Sequence, residues 1–583
     1  MRVALAQLQS LRASPALVVA IVAWLIAGLV LILRVPVGTG GTDEPFYSAM
    51  TYGFLLGNKP YLDELAIHQN AAILLMPLYS VYVWLHGTDG IILFNRWLYV
   101  VYAGFCSYLT YRFVAQVAGR ALGCWCAALI LSFTYYNLLA LSYNTFGAFG
   151  FLCGVLLSAL AFFERPGRNL FLASVFFGTA IFSYPTLLLA FLLHVPLLVW
   201  RLHQRLPREE FKRALIGLGL GVLGCIVAAV AFILWIAPGG LQRALEFAEG
   251  IGYARHTLLE KVENYRDALL AQRWQWLGFA ALFVTLPALL ASVPRSAPAL
   301  AAITPLTFLA LYFSGLKATL TTHPATFQTL LPLLAPACSL AARSFRERRL
   351  VLALLWLPGV VSMITIALTS ANGLAVAYLG TLPTLVAGVV SLAKLSEELS
   401  YTSPREPYTT LCVYGFCAAA LIAQLHNLRD LAYSEQQKVR DNDTRVSAGP
   451  FRGALTGAQQ AALLVAVDED LKRVEEPGKT LAIFDSFSVG YLATRMRPRT
   501  FTHWLVWAFE PQYIRRMMQM TYGDPATQPD FVLLVKTGID RRHRWRRRFE
   551  KNYATIVSRP ELGYAILKRV SPDPIAGVPP NAG

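Results

Sequence analysis

A chain of 583 residues that is 56% hydrophobic and 15% charged, with a mean hydropathy of +0.49, is not a string of soluble domains. Repeated apolar runs of roughly 20 residues make the bilayer its main solvent. The formal charge of +17 does not mark a nucleic-acid partner, because many of the basic residues cluster between apolar runs, at Arg165 to Arg168, Arg201 to Arg213 and Arg343 to Arg349, in the pattern of cytoplasmic loops.

Arg2 and Arg12 place the amino terminus in the cytoplasm, and Pro15 to Leu33 is long enough to serve as an uncleaved first span. Val35 to Asp89 is then an external loop, with a short helix at Pro45 to Leu56 and an interfacial helix at Ala71 to Leu85. Ile91 to Phe113 reads as the second span, followed by Ala121 to Leu141, Phe146 to Phe163, Leu170 to Phe182, Thr186 to Trp200 and Ala214 to Ile236. Ser183, Tyr184 and Pro185 break one pair into a tight hairpin, since proline lacks a donor and disfavours helix at the residue before it. After a polar amphipathic stretch, Leu241 to Gln272, come Trp274 to Val293, Leu300 to Phe313, Phe327 to Ala342, Leu350 to Thr369, Leu374 to Leu395 and Thr409 to Leu425. The total is about thirteen spans, an odd number that leaves the tail outside.

The expected architecture is a polytopic α-helical membrane domain, residues 1–427, followed by an extracytoplasmic α/β domain, residues 428–583. In the tail, Ala458 to Val474 reads as an amphipathic helix and Arg541 to Tyr553 as a very basic one; Thr480 to Phe484, Phe531 to Val535 and Leu562 to Lys568 read as strands. It carries no Gly-rich phosphate loop and no Ser/His/Asp signature. All eight cysteines fall in apolar segments, which argues against disulfides and a zinc cluster.

Thr42-Asp43-Glu44-Pro45 is the feature that carries chemistry. Proline at the first helical position, with a capping side chain before it, makes the tetrad a good helix start. Its two carboxylates also stand at the mouth of the bundle among Phe46, Tyr47, Tyr52 and Tyr61, a setting suited to polar, ring-shaped ligands such as sugars. Asp63 and Glu64 read as a solvated loop face or, with Asp43, as a site for a divalent cation such as magnesium or manganese. Tyr143, Asn144 and Tyr184 are candidate wall residues of the same cavity.

The order of these features resembles the membrane glycosyltransferases of the GT-C superfamily, especially the branch of protein O-mannosyltransferases and bacterial aminoarabinose transferases of lipid A. The shared features are an acidic pair just after the first span, interfacial helices in that loop, Asn95 and Arg96 opening the second span, about thirteen spans, and an external tail. The resemblance implies sugar transfer from a polyprenyl-phosphate donor to a lipid, glycan or protein acceptor, usually with inversion, at the periplasmic face of a bacterial inner membrane. It makes Asp43 the base for the acceptor hydroxyl and gives Glu44 the task of orienting the acceptor or sharing a cation. The family commonly offers a lysine late in the first loop, where this chain reads Ala66-Ile67-His68-Gln69. By topology Arg96, Lys317, His323, Arg255 and His256 are the candidates for holding the donor phosphate, and His68, at that departure, is a candidate substrate-binding residue.

The rival readings are a transporter or flippase and a non-catalytic envelope-assembly protein. A transporter calls for paired repeats and ionisable residues at mid-membrane depth, and the spans are almost free of Asp, Glu, Lys and Arg. An oligosaccharyltransferase would carry Trp-Trp-Asp-Tyr-Gly in the tail, and that motif is absent.

Overall fold

The computed structural model describes residues 14–39, 43–66, 68–236, 239–240, 242, 245, 258–292, 297–314, 323–342, 348–370, 373–401, 406–430, 439–484, 487–503, 511–535 and 552–570. Among these, eight helices are long and apolar enough to cross a membrane, and three shorter apolar helices lie beside them. The chain is a multi-pass membrane protein.

Helix α1 (Pro15–Arg34) shows why. Its start is set by proline in the first turn and by the Ser14 hydroxyl accepting from the Leu17 amide at 3.3 Å. Ala20, Ala23, Ala27 and Leu31 recur at helical spacing and are buried against the bundle. The opposite face exposes Val18, Val19, Leu25, Leu29 and Leu33, an apolar surface that only lipid can cover.

Two helices follow in the first loop, α2 (Asp43–Leu55) and α3 (Gln69–His86), and then the long α4 (Ile91–Ala118) and the short α5 (Arg120–Leu131). The expected span Ala121 to Leu141 therefore stops at Leu131. Residues 132–142 leave the helix and cross the bundle as buried loop. Next come α6 (Tyr143–Leu160), α7 (Pro166–Ser183), α8 (Leu188–Arg205) and α9 (Arg208–Trp235), with Pro185–Leu187 forming the tight turn between α7 and α8. Helices α7 and α9 meet through small residues: a Cβ on Gly217 would stand 2.0 Å from the Gly167 carbonyl oxygen, so only glycine permits this crossing. The membrane part continues through α10 (Leu258–Ala271), α11 (Arg273–Ser292), α12 (Ala297–Ser314), α13 (His323–Leu330), α14 (Leu334–Ala341), a helix at Arg348–Thr369, one at Leu382–Tyr401, and α17 (Glu406–Asp430).

The tail is an α/β domain. Two short strands, β1 (Thr444–Arg445) and β2 (Leu455–Thr456), pair antiparallel; a five-stranded sheet has the order β4-β3-β5-β7-β6, with β3 (Thr480–Phe484) parallel to both β4 (Arg497–Pro498) and β5 (Phe531–Val535). Strand β7 (Tyr564–Arg569) runs antiparallel to β5 and to β6 (Tyr553–Arg559). The helix Ala458–Val474 has the expected bounds, as do β3 and β5. Tyr553 opens a strand rather than closing the expected basic helix, the rest of which lies outside the described residues.

This domain is joined to the first loop by backbone pairing. The Leu455 amide donates to Pro36 O at 2.6 Å and the Gly38 amide to Leu455 O at 2.7 Å, while Gly90 donates to Gly449 O and Leu65 to Phe501 O. At the same seam Glu64 is fully buried: Oε1 accepts from the Ala66 amide at 2.8 Å, and Oε2 accepts from the His503 amide at 2.9 Å and from His503 Nδ1 at 2.7 Å. Glu64→Ala strands these donors in a dry interface, so it is expected to lower stability by about 1–3 kcal/mol. The readout is a lower thermal midpoint of the detergent-solubilised protein with faster proteolysis of the tail; an unchanged midpoint would mean the seam does not rest on this carboxylate.

Candidate functional site

The two acids at the start of α2 have opposite environments. Glu44 is fully buried, and its carboxylate receives Arg96 side-on, Nε to Oε1 and Nη2 to Oε2, both at 2.6 Å. Asp43, one residue earlier, is partly exposed. The first turn of a helix favours negative charge, so both positions suit a carboxylate, but only Asp43 is accessible to a ligand.

Arg96 is engaged through every N–H it has. Besides Glu44, it donates to Val35 O and Gly38 O at 2.6 Å and to Val37 O at 3.3 Å. Two expectations are corrected here. Arg96 is neither a phosphate ligand nor an interfacial residue reaching for the bilayer surface, and Glu44 has no free oxygen with which to orient an acceptor or share a cation. Together they hold the peptide leading into α2. Arg34 adds to this, donating to Leu428 O at 3.2 Å and to Val37 O.

Around Asp43 lies a group of phenols from distant parts of the chain. Burial, and then the Asp43 charge beside it, push the Tyr136 phenol above its ordinary range. In the same wall Tyr135 stacks on Tyr378, ring centroids 6.4 Å apart, and Tyr47 meets Tyr143 edge-on at 6.0 Å. Tyr136 and Asn137 take left-handed backbone, φ +49° and +61°. Asparagine tolerates that region; for tyrosine it costs of order 1–3 kcal/mol and persists only where the surroundings fix it. They do so here: the Tyr136 amide donates to Tyr378 Oη at 2.9 Å and its hydroxyl to Ala375 O at 3.0 Å. Asn137 donates to Asn427 O at 2.9 Å, and the Asn427 amide donates back to Asn137 Oδ1 at 2.6 Å. The one local sign of this loop is the polar Tyr135-Tyr136-Asn137 run inside an apolar stretch.

The other expected wall residues do come together. The His68 ring lies over Tyr143, centroids 4.2 Å apart, and edge-on to Phe46; Tyr143 in turn stacks on Tyr184 at 5.7 Å. Asn144 is buried beside Tyr143 in the first turn of α6, behind the Ser142 and Thr145 capping box, and its Nδ2 has no partner. Burial pulls His68 down to about 4, so at neutral pH it is an uncharged aromatic rather than a cation in the place of the family's lysine.

The three-carboxylate cation site is not assembled. Asp63 accepts from the Lys59 amide at 2.8 Å and from Arg497 at 3.3 Å, and Glu64 belongs to the seam described above. Among the described residues no group of three His, Cys, Asp or Glu side chains comes close enough to hold a metal ion. Lys317, Arg255 and His256 lie outside the described residues; His323 opens α13.

The fold and site thus define a multi-pass helical membrane protein whose accessible acid sits at the junction of bundle and tail. No protein-family model and no curated protein matches the chain. It is similar to several solved structures. One is the Archaeoglobus fulgidus oligosaccharyltransferase in complex with Zn and sulfate: 14% identity, 88% of this chain and 68% of that one, TM-score 0.45. The archaeal oligosaccharyltransferase AglB from Archaeoglobus fulgidus, in complex with an inhibitory peptide and a dolichol-phosphate, is 12% identical over 88% and 69%, TM-score 0.42. ArnT from Cupriavidus metallidurans, bound to undecaprenyl phosphate, is 11% identical over 98% and 100%, TM-score 0.38. At such identities and TM-scores the likeness assigns no chemistry to this chain.

Two outcomes are expected. Glu44→Ala leaves a buried, uncompensated guanidinium and is expected to cost about 3–5 kcal/mol, whereas Asp43→Asn, with an equally good helix-starting side chain, stays within about 1 kcal/mol; denaturant titration of the solubilised variants compares them. The second concerns pH. Because the folded-state pKa of His68 is depressed, its contribution is complete above pH 6.5 and is lost as pH falls toward 4, worth about 3 kcal/mol in all. His68→Phe should flatten the acid side of the thermal-midpoint profile over that window; an unaltered profile would show that His68 does not titrate on unfolding.

Proposed function

We propose that this protein is a glycosyltransferase that moves a sugar from a polyprenyl-phosphate-linked donor to a hydroxyl of a lipid, glycan or protein acceptor at the periplasmic face of a bacterial inner membrane. The observation that carries the reading is the division of labour at the start of α2: Glu44 is buried on Arg96, and Asp43 is accessible among phenol rings.

In this reading the Asp43 carboxylate takes the proton from the acceptor hydroxyl as its oxygen attacks the anomeric carbon. The bond from that carbon to the phosphate oxygen breaks on the opposite side, giving inversion and a free polyprenyl phosphate. The ring faces of Tyr143, Tyr184 and Tyr136 flank the sugar, and the uncharged His68 and the Asn144 amide supply hydrogen bonds rather than charge. With Arg96 engaged, the charge that stabilises the departing phosphate comes from Lys317, Arg255 or His256, or from His323. Asp63 and Glu64 are held in contacts of their own, with Lys59 and Arg497 and with His503.

The test is a deletion strain complemented with wild type, Asp43→Asn or Glu44→Gln, with mass analysis of the envelope glycans and immunoblotting of membranes. Asp43→Asn is expected to insert at wild-type levels and to lose transfer by a factor of about 10² or more. Glu44→Gln is expected to lower the amount of inserted protein. Full glycan modification by Asp43→Asn at normal abundance would remove Asp43 from the role of base.

A further inference from the structure

At the end of the bundle away from Asp43, three ion pairs tie described charges near the helix ends. Arg112 pairs with Glu164, Lys212 with Glu209 at 2.8 Å, and Lys394 with Glu397 at 2.7 Å. One group is unlike these. Arg201, in the last turn of α8, is only 3% exposed, and its Nε has no hydrogen-bond partner. One Nη donates to Gln204 Oε1 at 2.6 Å, and the guanidinium lies 5.4 Å from the Trp200 ring centroid. No carboxylate meets it among the described residues.

Its electrostatic neighbours are cations. Arg205 follows one turn later on α8, and Arg349, within electrostatic reach, opens the helix Arg348–Thr369, whose Leu352–Trp356 stretch packs against α8. Both are exposed, and neither has an acidic partner among the described residues. Three arginines with no anion beside them among the described residues, one of them buried, is an arrangement that self-repulsion and desolvation make costly. An anion relieves that cost. Guanidinium forks match phosphate oxygens in pairs, and basic pockets between membrane helices near the surface are suited to lipid headgroups.

We propose that Arg201, Arg205 and Arg349 form a phosphate-binding site, with the buried Arg201 as its base, Arg205 and Arg349 as its rim and Trp200 beside it. A phosphate diester of an anionic membrane lipid and free inorganic phosphate offer the same oxygens, and the position at the helix ends, beside an exposed tryptophan, favours the lipid. This site is independent of the transfer reaction proposed above.

The experiment uses the full-length protein in detergent, with native mass spectrometry and thermal unfolding after addition of phosphatidylglycerol, phosphatidylcholine or inorganic phosphate. The wild type is expected to retain phosphatidylglycerol and to unfold several degrees higher with it, with no such effect of phosphatidylcholine. Because Arg201→Gln disturbs a buried position, the decisive variant is Arg205→Gln/Arg349→Gln, both at exposed sites, expected to retain at least fivefold less phosphatidylglycerol. Stabilisation by millimolar inorganic phosphate that displaces the lipid and is lost in the double variant would keep the site and reassign its source to free phosphate. Equal lipid retention by wild type and double variant, or equal effects of phosphatidylglycerol and phosphatidylcholine, would overturn the proposal.

Discussion

The buried pair of Glu44 and Arg96 is the constraint on which the site depends. A desolvated ion pair contributes little by itself, because removing two charges from water offsets most of their attraction. What makes this one tenable is complete hydrogen bonding: two guanidinium donors take the carboxylate, and the others take the carbonyls of Val35, Val37 and Gly38. A lysine has neither the fork nor enough donors for this arrangement. The pair therefore acts on the backbone, fixing the four residues through which the chain leaves the first span and turns toward Asp43.

The same peptide is held from its other side by the tail. Leu455 pairs with Pro36 and Gly38 in a strand-like exchange, and Arg34 ties Val37 to the end of α17. Asp43 thus opens a helix downstream of a segment, Val35 to Gly38, whose polar groups are engaged by three separate parts of the chain. An acid mounted this way loses little freedom when a ligand arrives, which is the physical content of preorganisation. The strained Tyr136 and Asn137 backbone faces it with the same rigidity, set by Tyr378 and Asn427.

What was legible in the sequence was what short-range chemistry decides. Thr42-Asp43-Glu44-Pro45 announces a helix start, and α2 begins there; the apolar runs Thr480–Phe484 and Phe531–Val535 are central strands because a sheet buried on both faces needs continuous apolar residues. What was not legible depends on partners far along the chain. Nothing local distinguishes Asp43 from Glu44; the difference is made by Arg96, 52 residues on. Glu64 looks like a solvated loop acid until His503, 439 residues away, covers it. Residues 132–142 read as the end of a span because Phe133, Leu138, Leu139 and Leu141 are as apolar as any helix, and only the bonds to Tyr378 and Asn427 show why they are not helical.

The backbone pairing of the tail with Pro36 and Gly38 also sets an order of events in the making of the protein. Arg34 and Leu428 alone are 394 residues apart, and Leu455 is synthesised later still. At ribosomal rates of about 5–20 residues per second, the segment before Asp43 waits on the order of tens of seconds for its last partner. During that interval the first helices are already in the bilayer while the peptide that aims the acid is held from one side only. Completion of the site is thus tied to completion of the chain, and a truncated product that inserts normally would still lack a fixed Asp43.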